Sequence, residues 1–361
     1  MNVGIITIWD NENYGNRLQN YAVQEVIKKA THGGEAVTIK YIHDGTLRIR
    51  PYLKRFFRRL KAASTYRCYA KGRYKIALLE RGAKLRAFSE KYLAIDKEPI
   101  VNNHIPKGLN ERYDYFVVGS DQVWNPIFGH ATPVFFLAFT DEFKRIAYAP
   151  SFGVSSLPEG TEQYIANMLR AIPHLSCREE DGSRLIKNLT GRNAVTLIDP
   201  TLMLTPDEWL RITNTDMSKR HYAVVYLLGE TSDETRSFIQ KAAADKGLGV
   251  VELNDMNNLE LCSIGIEDFL GYFFNADVIF TNSFHGTVFS VMFRKPFVVF
   301  GREPMNSRIE TLLGKFGLLG RKYSEIAQED IYHIDYSRID GLLAQERSVA
   351  MDYLRNAMGI K

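Results

Sequence analysis

One stretch, from Asp277 to Phe300, constrains the fold of this chain more than any other part of the sequence. It reads D-V-I-F-T-N-S-F-H-G-T-V-F-S-V-M-F-R-K-P-F-V-V-F. The pattern predicts a buried strand, a turn, an apolar helix and a second strand, at residues 278–280, 283–286, 287–293 and 297–300. His285 therefore lies where a strand ends and a helix begins.

The position of His285 makes it a candidate site residue. Open α/β sheets bind ligands at the carboxyl ends of their strands, and the first N–H groups of a helix attract anions. A titratable imidazole at such a point can contact a bound anion. A histidine that only caps the helix fits the same position equally well, so both interpretations stay open.

Strands and helices alternate along the rest of the chain. Further strands are predicted at 3–9, 35–42, 113–120, 145–152, 175–178, 194–198, 223–228 and 250–253, and helices at 17–30, 158–172, 179–189, 233–246, 266–274, 306–316 and 340–358. This alternation predicts parallel sheets with right-handed crossovers. With 361 residues, we expect an α/β chain of two Rossmann-like domains facing each other across a cleft. The predicted divisions are an N-terminal domain at 1–195, a C-terminal domain at 196–335 and a C-terminal helix at 336–361.

The first predicted strand is followed by D-N-E-N-Y-G-N, a polar stretch that contains turn-forming residues and a glycine. Asn13, Gly15 and Asn16 can place amides and short polar side chains over a ligand. The stretch is not G-x-G-x-x-G, so it carries no dinucleotide-binding fingerprint. A plain turn between strand and helix explains it equally well.

Two later strand ends also carry polar residues. Ser120 and Asp121 close the strand at 113–120, where a catalytic or hydroxyl-binding group would lie. An aspartate that caps the turn is the alternative. Arg178 ends another strand, beside a helix start, and its guanidinium can bind a carboxylate or phosphate in a bidentate fork. An ion pair with one of the acids at 179–181 is the competing interpretation.

Basic residues are concentrated at 48–91, which holds 15 Lys and Arg residues against two Glu residues, although the whole chain has a net charge of only +4. Within it, residues 51–63 predict a basic amphipathic helix, a pattern suited to anionic membrane surfaces or phosphate-bearing partners. A helix that packs on its own domain with its long basic side chains reaching outward is the alternative. No nucleic-acid-binding motif accompanies the segment, so we expect no nucleic-acid partner.

Cysteine usage and hydropathy bear on the compartment. Cys68, Cys177 and Cys262 form no C-x-x-C pair, which argues against a disulfide scaffold and suits a reducing cytoplasm. The first residues lack the basic region of a signal peptide, and no window approaches 18 uninterrupted apolar residues. His, Asp and Glu show no ligand spacing such as H-E-x-x-H, so we expect no metal site. The protein is expected in the cytoplasm, with peripheral contact at the inner membrane face through 48–91 as an option.

Five motifs, in order, resemble those of the polysaccharide pyruvyltransferase family. They are N-Y-G-N-R-L-Q-N-Y-A from Asn13, V-V-G-S-D-Q-V-W-N from Val117, S-C-R-E from Ser176, D-P-T-L from Asp199 and T-N-S-F-H-G-T-V-F-S from Thr281. The first is commonly N-Y-G-A-x-L-Q-x-Y-A in the family, and the resemblance spans about residues 3–319. It implies a GT-B-like fold of two Rossmann-type domains. It also implies transfer of a pyruvyl group from phosphoenolpyruvate onto two hydroxyls of a sugar in a surface polysaccharide or its lipid-linked precursor, giving a cyclic ketal. No cofactor is implied beyond this donor substrate.

The resemblance also assigns roles to residues. His285 matches a motif histidine that takes part in catalysis, and Arg178 matches a donor-binding arginine. Some members carry Arg-Leu-His where this chain has S-F-H, so their donor-contacting arginine is replaced by Ser283, which donates a hydrogen bond but brings no charge. Arg308, at a predicted helix N-terminus, is the candidate replacement. Arg294 fits less well because it lies at the far end of its helix.

The implied chemistry needs a proton donor and a proton acceptor, because the methylene carbon of the donor is protonated while sugar hydroxyls attack. His285 can serve in either role. The helix N-terminus favours the neutral ring and a bound dianion favours imidazolium. We expect His285 to be the acid and Asp121 the base. Two other functions stay open: a nucleotide-sugar-dependent GT-B glycosyltransferase, and a non-catalytic protein that docks on membranes through 48–91.

Overall fold

The computed structural model describes residues 1–10, 13–42, 71–216, 221–255, 258–301 and 307–360. Within this part of the chain, two four-stranded sheets form, and every pairing inside them is parallel. The predicted helix at 51–63, with the basic residues before 71, lies outside the described residues. The remainder of the basic segment belongs to a helix, given below.

The N-terminal half is built on a sheet with the order β2-β1-β5-β6. Its strands are β1 (Asn2–Ile6), β2 (Glu35–Thr38), β3 (Tyr41–Ile42), β4 (Ile100–Val101), β5 (Tyr115–Val118), β6 (Arg145–Ala147), β7 (Ser176–Cys177) and β8 (Val195–Thr196). Its helices are α1 (Tyr14–Ala30), α2 (Lys71–Tyr92), α3 (Leu109–Arg112), α4 (Glu162–Arg170) and α5 (Glu180–Thr190), with 3-10 turns at Pro133–Phe136 and Glu142–Lys144. Strands β3 and β4, and β7 and β8, pair separately.

The C-terminal half repeats this plan with the order β10-β9-β11-β12. Its strands are β9 (Tyr222–Tyr226), β10 (Gly249–Glu252), β11 (Val278–Thr281) and β12 (Phe297–Val299). The helices are α6 (Pro206–Leu210), α7 (Asp233–Asp245), α8 (Leu259–Cys262), α9 (Ile266–Asn275), α10 (Phe284–Met292), α11 (Ser307–Lys315) and α12 (Ile339–Ala357), with 3-10 turns at Pro200–Leu202, Leu319–Arg321 and Gln328–Asp330. The predicted α/β class with two Rossmann-like, GT-B-like halves is confirmed.

Several strands are shorter than the sequence predicts, and β6 shows why. The apolar run predicted a strand at 145–152, but the ladder ends at Ala147. Tyr148, Ala149 and Phe152 are fully buried in the loop that follows. Apolar character marks burial, whereas a strand also needs a neighbour for its backbone hydrogen bonds. The prediction was therefore right about burial and wrong about pairing.

The two halves share one hydrophobic cluster, so the cleft between them is partly closed by packing. Tyr14 of α1 stacks on Phe269 of α9 with ring centroids 4.6 Å apart. The C-terminal helix α12 returns to the N-terminal half, where the Tyr353 hydroxyl donates to Ala147 O at 2.8 Å. This shared core fixes the loops of both halves against one another. It also places the helix at 336–361 across the two halves rather than on one of them.

Helix α2 carries the last part of the basic segment. Arg81, which is buried, donates through Nε to Cys262 O at 2.6 Å, across the two halves. At this residue the segment has a structural role. No helix in the described ranges is both long enough and apolar enough to cross a membrane.

Candidate active site

The end of β5 brings Ser120 and Asp121 to the junction of the two halves. Gly119 precedes them with φ of 119°, and a Cβ there would lie 2.2 Å from Tyr148 O, so only glycine fits this turn. Ser120 is fully buried, with Oγ 2.8 Å from Ala149 O and 2.9 Å from Oδ2 of Asp199. Its hydroxyl therefore links the loop after β6 to the carboxylate of Asp199, which follows β8 in the chain.

Arg178, from the end of β7, lies between two buried carboxylates. Its Nη1 is 2.6 Å from Oδ2 of Asp199, and its Nη2 is 3.2 Å from Oδ1 of Asp121. All three side chains are at least 90% buried. Although burial alone raises the pKa of an aspartate, Arg178 holds the pKa of Asp199 down at about 2 and lowers that of Asp121. The alternative prediction was that Arg178 pairs with an acid at 179–181. It is wrong, because no such ion pair is present among the described contacts.

His285 lies in the first turn of α10, because the helix begins at Phe284 and not at 287 as predicted. Ser283 is the N-cap and accepts from Gly286 N at 3.3 Å. The interpretation of His285 as the helix cap is therefore wrong. Ser283, expected to bind the donor, has its hydroxyl engaged in this cap.

The imidazole of His285 faces the acidic end of the cluster. Its Nε2 lies 3.9 Å from Oδ1 of Asp199, is buried, and has no hydrogen-bond partner among the described residues. Burial lowers the pKa of His285, Arg178 and Arg308 add to this, and the two aspartates oppose it. The ring is therefore neutral at pH 7 with one nitrogen available to a ligand.

Phe284 carries two guanidinium groups over its ring. The Cζ of Arg178 is 4.2 Å from the ring centroid and that of Arg308 is 5.9 Å from it. Arg308 is in the first turn of α11, as predicted, and is buried. Arg294 instead pairs with exposed Asp340 at 2.9 Å, in keeping with its lower ranking.

Several helix N-termini meet at this cluster. The backbone N–H of Glu180, in the first turn of α5, donates to Thr311 Oγ1 at 3.2 Å, which ties this helix start to the second turn of α11. Helices α1 and α10 also begin here. Each N-terminus carries roughly half a positive charge. The cluster therefore combines two buried arginines, a buried histidine and several positive helix ends at the junction of the halves.

Gly15 brings the start of α1 against the imidazole. A Cβ on Gly15 would lie 2.1 Å from Nδ1 of His285, so the helix approaches the ring as closely as a glycine allows. Helix α1 begins at Tyr14, three residues before the predicted start, because Asn13 caps it by accepting from Gly15 N at 2.9 Å. Asn16 is likewise helical and donates to Asp10. Gly15 and Asn16 thus belong to the first helical turn, and the prediction of a loop there is wrong.

A cavity of about 290 Å³ opens beside the cluster in the N-terminal half. Its polar lining is Asp10, Asn13, Asn16, Asp121, Gln122 and His130, and its aromatic lining is Trp9, Tyr41, Phe128 and Phe135. Asp121 belongs both to this cavity and to the ion-paired cluster. The cavity and the cluster therefore meet at one carboxylate.

Comparison with known proteins assigns the chain to a family. The sequence model of the family described as polysaccharide pyruvyl transferase matches residues 13–304. The chain belongs to this family. Gly15, Asp121, Arg178, Asp199 and His285 lie within the matched range, whereas Arg308 lies just beyond it. No curated protein matches the chain.

Among solved structures, two UDP-N-acetylglucosamine 2-epimerases are similar. The putative enzyme from Listeria monocytogenes has a TM-score of 0.48 at 9% identity, covering 99% of this chain and 91% of that one. The enzyme from Neisseria meningitidis bound to UDP-GlcNAc has a TM-score of 0.48 at 12% identity, covering 99% and 98%. Anabaena HepE in complex with UDP and glucose has a TM-score of 0.45 at 9% identity, covering 98% and 96%.

The central carboxylate of the cluster, Asp199, was not singled out from the sequence. It contacts Arg178, Ser120 and His285 within 3.9 Å. Asp199 is the first residue of the D-P-T-L motif, so the signal was present, but the family resemblance assigned no role to it. Tyr148 was also missed: its hydroxyl is buried and has no hydrogen-bond partner in the described part of the chain. Burial and then the charge of Asp199 raise the pKa of Tyr148 well above its ordinary value.

Proposed function

We propose that the protein transfers the pyruvyl group of phosphoenolpyruvate onto two hydroxyls of one sugar, with release of phosphate and formation of a cyclic ketal. The sugar belongs to a surface polysaccharide or to its lipid-linked precursor. One observation carries the proposal beyond the family assignment: Arg178, Arg308 and an imidazole with an available nitrogen are buried together at the junction of the halves. This combination suits a small, multiply charged enol phosphate.

The charges of the cluster support a binding step in which the donor replaces a carboxylate at Arg178. Arg178 is already paired with Asp121 and Asp199, so the donor carboxylate or phosphate must compete for it. The geometry favours displacement of Asp121, whose contact is 3.2 Å, over displacement of Asp199, at 2.6 Å. Arg308 and the nearby helix N-termini supply further positive potential. The bound dianion in turn favours the protonated ring of His285, so the proton donor is charged in the complex.

The reaction can be written with this chain's residues. Protonated His285 gives its proton to the methylene carbon, whose π electrons form the new C–H bond, and the central carbon becomes cationic. The oxygen of one sugar hydroxyl bonds to that carbon, and the carbon–oxygen bond to phosphate breaks with its electrons on the phosphate. The second hydroxyl then bonds to the same carbon and closes the ketal. Two protons are lost from the hydroxyls in total: one balances the proton added to carbon, and the other balances the proton that the released phosphate takes up.

Asp121 is the proposed base for the attacking hydroxyl. It is the carboxylate that the donor frees from Arg178, and it also lines the adjoining cavity. A carboxylate held at that boundary can reach both substrates, as general base catalysis requires. In the free protein, against the opposing effect of burial, Arg178 lowers the pKa of Asp121. When the donor displaces this contact, the buried carboxylate becomes a stronger base.

The direct test incubates the protein with phosphoenolpyruvate and a panel of galactosyl, mannosyl and glucosyl acceptors. We expect phosphate release together with a product heavier by pyruvate minus water. His285→Gln should lower turnover by about 100-fold or more, while phosphoenolpyruvate binding by calorimetry changes little. Turnover close to wild type in this variant would remove His285 from the chemistry. Protection from heat by a nucleotide diphosphate and not by phosphoenolpyruvate would favour a glycosyltransferase instead.

We further propose that the basic segment rests on the cytoplasmic face of an anionic membrane when the acceptor is lipid-linked. Arg55, Arg58 and Arg59, which lie outside the described residues, are the charges to neutralise. Each basic side chain near such a surface contributes about 1 kcal/mol, so replacing all three by Gln should weaken binding to phosphatidylglycerol vesicles strongly. The triple Lys variant keeps the charge and is the matched control. Equal vesicle binding by both variants would contradict this contact.

A further inference from the structure

The cavity beside the cluster has the chemistry of a sugar site and not of an anion site. Among its described lining residues there is no Lys or Arg, and two are aspartates, Asp10 and Asp121. Arg178, which pairs with Asp121, and Arg17, which stacks on Trp9 with its Cζ 3.8 Å from the ring centroid, do not line the cavity. The described lining therefore presents a trianionic donor with carboxylates and no cation. Neutral hydroxyls, in contrast, donate well to carboxylates and amides. The donor therefore belongs in the arginine cluster and the acceptor in the cavity.

The remaining lining also suits a carbohydrate ring. Phe128 is 43% exposed although it is aromatic and lies at the cavity. An exposed aromatic face can pack against the apolar C–H face of a pyranose. The volume of about 290 Å³ is at the lower end of the range of small-molecule pockets, about 300 Å³, which fits a terminal sugar unit.

His130 is the one histidine among the described residues lining this cavity. Its Nδ1 lies 3.1 Å from Gln122 O. Because a carbonyl oxygen only accepts, Nδ1 carries the hydrogen, and in the neutral ring Nε2 holds the lone pair. Nε2 makes no hydrogen bond to any residue that the structure describes. The ring is held edge-on by Phe128 and Phe135, with centroids 6.1 Å and 5.8 Å away.

Ketal formation creates a demand that one base does not meet. Two hydroxyls on one sugar each lose a proton, in separate steps. Asp121 can accept the first proton, and a second acceptor is needed on the same ring. His130 lines the same cavity as Asp121. Against the larger opposite effect of burial, the carboxylates of Asp121 and Asp10 are close enough to raise the pKa of its ring.

We propose that the cavity binds the acceptor pyranose and that Nε2 of His130 is the second proton acceptor, which takes the hydrogen of the ring-closing hydroxyl. The inference rests on the proposed function. In the closing step the hydroxyl oxygen bonds to the cationic central carbon, and its O–H electrons remain on oxygen as the proton moves to Nε2. The proton then returns to solvent when the product leaves. Burial lowers the pKa of His130, which keeps the ring neutral and able to accept at pH 7.

Sugar binding can be measured without any turnover. Trp9 lines the cavity, whereas Trp124 and Trp209 are fully buried and donate to Phe135 O and Thr201 O. Titration with methyl β-galactopyranoside, methyl α-mannopyranoside and methyl β-glucopyranoside should change the tryptophan fluorescence saturably for at least one glycoside. The change should vanish in Trp9→Phe. Absence of any saturable change in the wild-type protein would overturn the sugar site.

The role of His130 has its own test. His130→Asn keeps an amide hydrogen for Gln122 O but removes Nε2. We expect glycoside binding within about threefold of wild type and ketal formation about 100-fold slower. Since the unclosed intermediate hydrolyses, the ratio of free pyruvate to ketal should rise at least tenfold, which a merely structural role would not cause. His221→Asn, whose side chain is 88% exposed in the other half, is the control with unchanged activity.

The outcomes separate the two proposals. A wild-type ketal rate and pyruvate ratio in His130→Asn would overturn the second base. If His130→Asn fails to fold by circular dichroism, His130→Gln, which places a non-basic amide where Nε2 lies, is judged by the same ratio. Saturable glycoside binding with no product from phosphoenolpyruvate in the wild-type protein would overturn the proposed function while upholding the sugar site.

Discussion

Gly15→Ala tests whether the imidazole of His285 has to lie where the structure places it. The new Cβ would be 2.1 Å from Nδ1, 2.6 Å from Cε1 and 2.8 Å from Cγ of His285, whereas ordinary contacts begin at 3.4 Å. All three atoms belong to one side chain, so the ring is what has to yield. The imidazole must therefore move by roughly 1 Å, enough to misalign a proton donor with its target.

The expected magnitudes differ sharply between activity and stability. A displacement of about 1 Å costs on the order of 100-fold in turnover. The helix itself gains from alanine, because replacing a helical glycine stabilises a protein by about 0.4–1 kcal/mol. This gain offsets part of the cost of moving a side chain at the edge of the site. We therefore expect a small change in the free energy of unfolding and a large fall in kcat.

The measurement pairs steady-state turnover with urea denaturation of the same preparations. Gly341→Ala is the matched control, since Gly341 also lies in the first turn of a helix and its added Cβ would meet no atom within 4 Å. That variant should keep full activity and gain up to about 1 kcal/mol. Wild-type kcat in Gly15→Ala would refute the reasoning, because the ring could then be displaced without consequence.

Two further predictions concern the ion-paired cluster. Asp199→Asn should destabilise the protein by about 3 kcal/mol in urea denaturation, because it removes one of the partners of buried Arg178. The exposed pair at Asp340, whose side chain is 58% accessible, provides the comparison, and Asp340→Asn should cost less than about 1 kcal/mol. Equal effects of the two changes would argue against the role of burial. The second prediction is a pH profile. Because burial and then neighbouring arginines lower the pKa of His285 below 6.5, kcat/KM for phosphoenolpyruvate should fall as pH rises through that low value. In the pH profile of kcat the same decrease should occur at higher pH, since the bound dianion favours imidazolium. A decrease at the same pH in both profiles, or no decrease in either, would contradict the role of His285 as the acid.

Much of the site could be predicted from sequence because parallel strands bring their carboxyl ends to one edge of a sheet. This rule placed Asp121, Arg178 and His285 near one another, although more than 50 residues separate each from the next. The rule could not say which groups touch. Arg178 pairs with two acids distant in sequence and not with its neighbours at 179–181.

Helix starts were the least accurate part of the prediction. Both α1 and α10 begin three residues before the predicted position. Asn13 and Ser283 cap them through side-chain oxygens. The apolar periodicity used to find a helix begins only where a side chain reaches the core, whereas the cap begins where the backbone turns.

The sequence by itself determined the α/β class, the two parallel sheets and the family, because hydrophobic periodicity and short motifs are local properties of the chain. Only the tertiary structure decided that Asp199 lies at the centre of the cluster, that Gly15 contacts the ring of His285, and that a cavity lined by His130 adjoins them. These are contacts between distant segments. They are set by how the two halves pack over a shared core, which no local pattern encodes.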